Sequence, residues 1–226
     1  MTKKIQELEE IAELLSIGIA KERESYEYYM RAYGKCLGSC DSKIVQEGLS
    51  VLLEQKKRNE AELRKQLNAI RLELIRARGH KIEKSVKINA PPERVFALLT
   101  DRKEAPKWNK LIKEAIVTSK EPTGVGSTVH YVGEAGGARG EWDIETTEWV
   151  KNKKYAWRTT SGDVAMLTTW TLKEANGTTE LTYEIRYELP YSILGKIINK
   201  LKASRDIENG MITALQNLKQ LSEKET

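Results

Sequence analysis

Two hydrophobic periods divide this chain. Between Ile5 and Arg78 no proline occurs, and apolar side chains recur at intervals of three and four, the spacing that aligns them along one side of an α-helix. Ile5, Leu8, Ile11, Ala12, Leu15 and Ile19 form the stripe of a first helix, which continues through Tyr26, Tyr29 and Met30. The segment GKCLGSCD, Gly34 to Asp41, predicts a turn with Asp41 as helix N-cap. Val45, Leu49, Leu52, Leu63, Leu67, Ile70 and Leu74 then mark the apolar face of a second helix. At about 1.5 Å per residue that helix reaches roughly 50 Å. A two-helix hairpin seldom buries enough surface to stand alone, so residues 1–79 are expected to pair with a second copy and make the protein a homodimer.

After Gly79 the period becomes two. Thr179, Leu181, Tyr183, Ile185, Tyr187 and Leu189 alternate with Glu180, Thr182, Glu184, Arg186 and Glu188, which predicts a strand with one apolar, aromatic face. Met166, Thr168, Trp170 and Leu172 supply the matching face of the preceding strand, and Ala175-Asn176-Gly177 predicts the hairpin between them. Further strands are expected near Ile112–Lys120, Ser127–Glu134, Gly140–Val150 and Lys154–Thr160. Earlier, Val86, Ile88 and Ala90 alternate with Ser85, Lys87 and Asn89 until Pro91 and Pro92 stop the strand and open a short helix bearing Val95, Phe96, Leu98 and Leu99. Asp101 and Arg102 release the chain toward Trp108. Pro190 ends the last strand, and Ile193, Leu194, Ile197, Ile198, Leu201, Ile207, Met211, Leu215 and Leu218 mark a long closing helix. Strands joined by short turns imply an antiparallel sheet with one covered face, and this helix is the element available to cover it. The fold class is α+β: an all-α antiparallel hairpin over 1–79 and a sheet-and-helix domain over 80–226.

VKINAPPERVFALLTDRKEAPKW, Val86 to Trp108, resembles the opening of the START/polyketide-cyclase-like superfamily, also called SRPBCC or helix-grip proteins. The likeness extends over about residues 81–219. It is carried further by Gly124 and Gly126, by KNKKYAWRT, by TTWTLKEANGTTELTYEIRYELP and by the final helix. It implies a curved antiparallel sheet around a long C-terminal helix. It also implies binding, sequestration or transport of a hydrophobic small molecule, such as a lipid, isoprenoid or polyketide-like compound, in an enclosed cavity. Residues expected to line that cavity are Trp142, Ile144, Tyr155, Trp157, Met166, Thr168, Trp170, Tyr183, Ile185 and Tyr187 on the sheet, with Ile197 and Leu201 on the helix. Rings with a polar tip suit an apolar ligand carrying one polar handle. Trp108 is expected at the cavity mouth. Upstream, IAKERESYEYYMRA resembles the first helix of ferritin-like and rubrerythrin-like proteins, with Glu22 at the position of a metal ligand. The second helix of that family bears Glu-x-x-His, whereas LLEQKKRNEAEL places Lys56 and Asn59 at those positions. An ammonium repels a divalent cation. The hairpin therefore reads as metal-free, with Glu54 or Glu60 available as ligands only after a shift of helix register.

Charge and chemistry narrow the function classes. The net charge of +5 is spread along 226 residues without a basic stripe interleaved with aromatics, so no nucleic-acid partner is expected. No apolar run has the length of a membrane span and MTKKIQELEE lacks the apolar core of a signal peptide, so the expected protein is cytoplasmic, with no integral membrane segment. Cys36 and Cys40 supply at most half of a zinc site and read as thiols of a reducing compartment. No phosphate loop, nucleophile elbow or metal-ligand cluster occurs, so neither cofactor nor metal is expected. His130 is read as the histidine of the sheet, on a strand whose phase the pattern leaves open; Asp143, Glu145, Glu148 and Arg158 default to the surface. The leading expectation is a binding protein. The alternatives are a cyclase or dehydratase in which His130, Tyr183 or Tyr187 handles protons, and a ferritin-like redox protein.

Overall fold

The computed structural model describes residues 2–39, 42–135, 138–162, 165–188 and 197–224, with backbone alone for 2, 39, 135, 138 and 197–203. The chain divides into two compact units, Met1–Leu74 and Ile75–Thr226. Among the described residues no helix is long and apolar enough to cross a membrane.

The first unit consists of helix α1, Thr2–Ser39, and most of helix α2, Lys43–Arg78. The inward side of α1 follows a regular alternation of three and four: Leu8, Ala12, Leu15, Ile19, Glu22, Tyr26, Tyr29, Tyr33 and Cys36 are all buried or half-buried. On α2 the same rhythm runs through Leu49, Leu53, Lys56, Glu60, Leu63, Leu67, Ile70 and Leu74. Four expectations are corrected here. Leu53 is buried whereas Leu52 and Val45 are exposed, because Leu53 and Gln46, not they, keep the seven-residue step to Glu60, Leu67 and Leu74. Ile11 yields its place to Ala12 for the same reason. The segment Gly34–Ser39, expected as a turn, continues α1, since Tyr33 and Cys36 extend the inward side. Cys40 and Asp41 lie outside the described residues.

In the second unit, β1 (His80–Ile88) leads through α3 (Pro92–Thr100) and α4 (Ala105–Trp108) to β2 (Ile112–Val117), β3 (Thr128–Ala135), β4 (Ala138–Val150), β5 (Lys154–Thr159), β6 (Ala165–Ala175) and β7 (Thr178–Glu188). The final helix, α5, runs Ile197–Glu223. The strands form one antiparallel sheet in the order β1-β7-β6-β5-β4-β3-β2, bent by bulges at Ile112/Glu114 and Thr146/Glu148. This is an α+β helix-grip fold. The β6–β7 turn is made by Asn176 and Gly177, both at positive φ (53° and 73°), the geometry a two-residue hairpin needs to match the strand twist. Gly79 follows the end of α2, and the close approach there requires glycine, since an added Cβ would lie 2.6 Å from the Ile75 carbonyl oxygen.

Cross-strand partners share a face. Ile82, Ile185, Thr168 and Trp157 therefore stand together, as do Tyr155, Trp170 and Tyr183, and Tyr131 with Trp142. This inner face packs under α5 through Met211, Ala214, Leu215 and Leu218, flanked by Ile207 and Leu221. Polar bonds fix the helix in place: Asn217 Nδ2 donates to the Trp108 carbonyl (3.0 Å), and the Asn89 N–H donates to Glu223 Oε1 (2.6 Å). The latter bond, with Lys219 beside it, holds the Glu223 carboxyl below the usual glutamate range.

Candidate functional site

The inner face is aromatic at its centre. Trp170 stacks on Tyr183 with ring centroids 3.5 Å apart, Trp108 meets Trp170 edge-on at 5.8 Å, and Trp149 meets Tyr155 edge-on at 5.5 Å. Into these rings reaches a charged side chain, Arg102, only 8 % exposed. Its guanidinium lies over the Tyr155 ring, 5.1 Å from the centroid, and its Nη1 approaches the Tyr131 hydroxyl at 3.5 Å. Asp101 closes α3 by donating its N–H to the Ala97 carbonyl, and the turn that follows delivers Arg102 inward while Asp101 and Lys103 stay exposed.

Several buried polar atoms here have no hydrogen-bond partner among the described residues: Arg102 Nε and Nη2, Trp108 Nε1, Tyr155 Oη and Thr168 Oγ1. Arg102 also has no ion-pair partner among them. Buried polar groups are ordinarily satisfied, so these atoms stand out on the inner face. Burial pushes the phenols of Tyr131, Tyr155 and Tyr183 upward, with the Arg102 charge opposing the rise for the first two. At neutral pH these hydroxyls keep their protons, so each can donate as well as accept, as Tyr131 accepts from Arg102.

Most sequence-expected residues meet at this site. Ile144, Tyr155, Thr168, Trp170, Tyr183, Ile185 and Tyr187 are buried on the inner face, and Trp142, Trp157 and Met166 are half-buried beside them. The Tyr187 hydroxyl donates to Ser204 Oγ of α5 at 2.8 Å. The side chains of Ile197 and Leu201 lie outside the described residues. Trp108, expected at the mouth, is instead 6 % exposed within the core, packed perpendicular to Trp170 and with its carbonyl held by Asn217. His130 is not brought to the site: it stands on the opposite face, its Nδ1 2.8 Å from Asp143 Oδ1, with Ser161 donating to Asp143 Oδ2. A second histidine, His80, opens β1 at the exposed edge of the inner face and sits 5.8 Å from the Tyr187 ring. In the first unit Glu22 is paired with Lys56 at 3.1 Å, so the ammonium occupies the carboxylate that the ferritin-like pattern would offer to a metal. Among the described residues no group of three or more His, Cys, Asp or Glu is placed to hold a metal ion.

The family described as polyketide cyclase / dehydrase and lipid transport matches residues 79–223, the whole sheet and its helix. The chain belongs to that family. Solved structures share the fold of this polyketide cyclase/dehydrase and lipid transport domain. A protein from Thermus thermophilus is 24 % identical with a TM-score of 0.55, covering 62 % of this chain and 95 % of its own. The Zhui aromatase/cyclase from a Streptomyces species is 14 % identical with a TM-score of 0.54, covering 64 % and 93 %. A START superfamily protein from Mycobacterium smegmatis is 20 % identical with a TM-score of 0.52, covering 63 % and 99 %. No curated protein matches the sequence. At these identities the likeness establishes the fold, and the chemistry of this family member is read from its own residues. Arg102 is the residue that sequence reasoning missed, since an arginine just past a helix end reads as a surface group.

Proposed function

We propose that this protein binds a hydrophobic small molecule between the inner face of the sheet and α5, and sequesters or carries it. The observation that carries this reading is the set of buried, unpartnered polar atoms on Arg102, Trp108, Tyr155 and Thr168, set among stacked aromatic rings. Apolar walls with a few convergent polar groups are the usual make-up of a small-molecule site. The family description, which includes both cyclase/dehydrase activity and lipid transport, is consistent with it. A cyclase or dehydratase would need a base within reach of substrate. His130 faces away, and the Tyr183 phenol, pushed upward by burial, serves as a donor rather than a base. Native mass spectrometry of gently purified protein tests the reading. A small-molecule adduct that is lost on denaturation is expected; protein that carries no adduct and fails to take up any apolar fluorescent probe would overturn it.

The hairpin is assigned a second role, assembly. Beyond its inward side, the hairpin exposes Ile44 (82 %) and Val51 (62 %), one helical heptad apart on the same side of α2. Large apolar side chains aligned on the outward side of a helix suit a helix–helix contact. A second copy of the same hairpin would cover them as a four-helix bundle.

A further inference from the structure

We propose that the ligand carries a carboxylate and that Arg102 is its counter-ion, an assignment that rests on the binding reading above. An arginine has no accessible neutral form, so burying it without an acid is costly unless something else supplies acceptors. Within the described residues Arg102 has the Tyr155 ring and a long contact to Tyr131, and neither is an anion. The two open atoms are informative. Nη1 is directed to Tyr131, whereas Nε and Nη2 lack partners. Nε and Nη2 lie along one edge of the planar guanidinium, the edge that receives both oxygens of a carboxylate in two parallel hydrogen bonds. Of the other open groups, Trp108 Nε1 can only donate, and the Tyr155 and Thr168 hydroxyls can donate as well as accept. A site in which every open group can donate, and three of the five only donate, selects a ligand head rich in acceptors. The stacked rings around it, Trp170, Tyr183 and Trp108, suit an apolar body attached to that head. The ligand class is thus an amphiphilic carboxylic acid in its ionised form.

The full-length protein is titrated with dodecanoate and 2-naphthoate, each compared with its uncharged primary alcohol, by calorimetry and tryptophan fluorescence. At least one acid should bind about tenfold or more tightly than its alcohol, the ratio corresponding to one charge-assisted hydrogen bond. In Arg102→Met that preference should disappear. Without ligand, the same variant should unfold at an equal or higher denaturant concentration, because a buried unpaired charge has been replaced by an apolar chain of similar length. Arg102→Lys, which keeps the charge but not the planar fork, should retain only part of the preference and guards against a folding defect in the methionine variant. Equal binding of acid and alcohol to the wild type, or an acid preference that survives in Arg102→Met, would overturn the carboxylate assignment while leaving the binding reading intact. If neither acid nor alcohol binds the wild type, both the assignment and the reading beneath it fail.

Discussion

Replacing Trp170 with alanine is expected to lower the unfolding free energy of the sheet unit by about 3–5 kcal/mol, the range for deleting a large buried ring. The side chain is 2 % exposed, lies flat on Tyr183, packs perpendicular to Trp108, and is the cross-strand partner of Tyr155 on its other side. Removing it leaves a void lined by three other rings, each held by neighbours that leave little freedom to collapse inward. Trp170→Phe preserves most of the stacking area and should cost less than half as much as the alanine change. Urea unfolding followed by circular dichroism measures both. A loss below about 1 kcal/mol for Trp170→Ala would show that the central aromatic cluster is not the core of this unit.

The second large effect concerns assembly. Ile44→Glu combined with Val51→Glu places two carboxylates, one helical heptad apart, on the exposed apolar stripe of α2. The wild type is expected to be dimeric and the double variant monomeric in light scattering, because burying even one unpaired carboxylate at a bundle interface opposes association strongly. Both positions are exposed, so the hairpin itself should keep its helical signal. A wild-type monomer, or a dimer that survives both substitutions, would assign the stripe another role. Ligand binding by the sheet unit should be unchanged by these substitutions, since neither residue belongs to that unit.

How much of this was legible beforehand depends on what each pattern encodes. The alternation in Thr179–Tyr187 gave face and register together, because a strand buried on one side must repeat every second residue, and Asn176-Gly177 has few other uses than a tight hairpin. The helical stripes were legible in period but not in phase. Leu52 and Leu53 are chemically equivalent in sequence, and only the partner helix, whose inward residues keep the three-four rhythm, selects Leu53. The strand from Thr128 to Ala135 carries apolar residues at Val129, Tyr131 and Val132, so its alternation is blurred and the direction of His130 was open. Its glycine explains part of the blur: at Gly133 an added Cβ would sit 2.5 Å from the Trp142 ring, so that ring fills the space a side chain would have held. Arg102 was invisible for a different reason. The acid beside it in the sequence, Asp101, suggests an ordinary surface pair, yet Asp101 stays exposed and accepts from the Lys103 N–H, while the surroundings of Arg102 are built by Tyr131 and Tyr155, which come together only when β3 and β5 are placed on one sheet. Trp108 likewise sits in a connecting segment, where exposure is the default, and its burial follows from the distant Trp170 and Asn217.

The central claim is that a ligand sits on the inner face beside Arg102, and the five tryptophans of the chain report on it. In a 15N-labelled sample each indole N–H gives a separate resonance, and Trp108 and Trp170 border the proposed site while residues 2–74 belong to the other compact unit. On adding an amphiphilic carboxylate, the indole signals of Trp108 and Trp170 should shift, with the Trp108 N–H moving toward the position of a hydrogen-bonded donor, and the backbone amides of 2–74 should stay in place. Binding that leaves both indole signals unmoved, or that perturbs only the hairpin amides, would contradict the account.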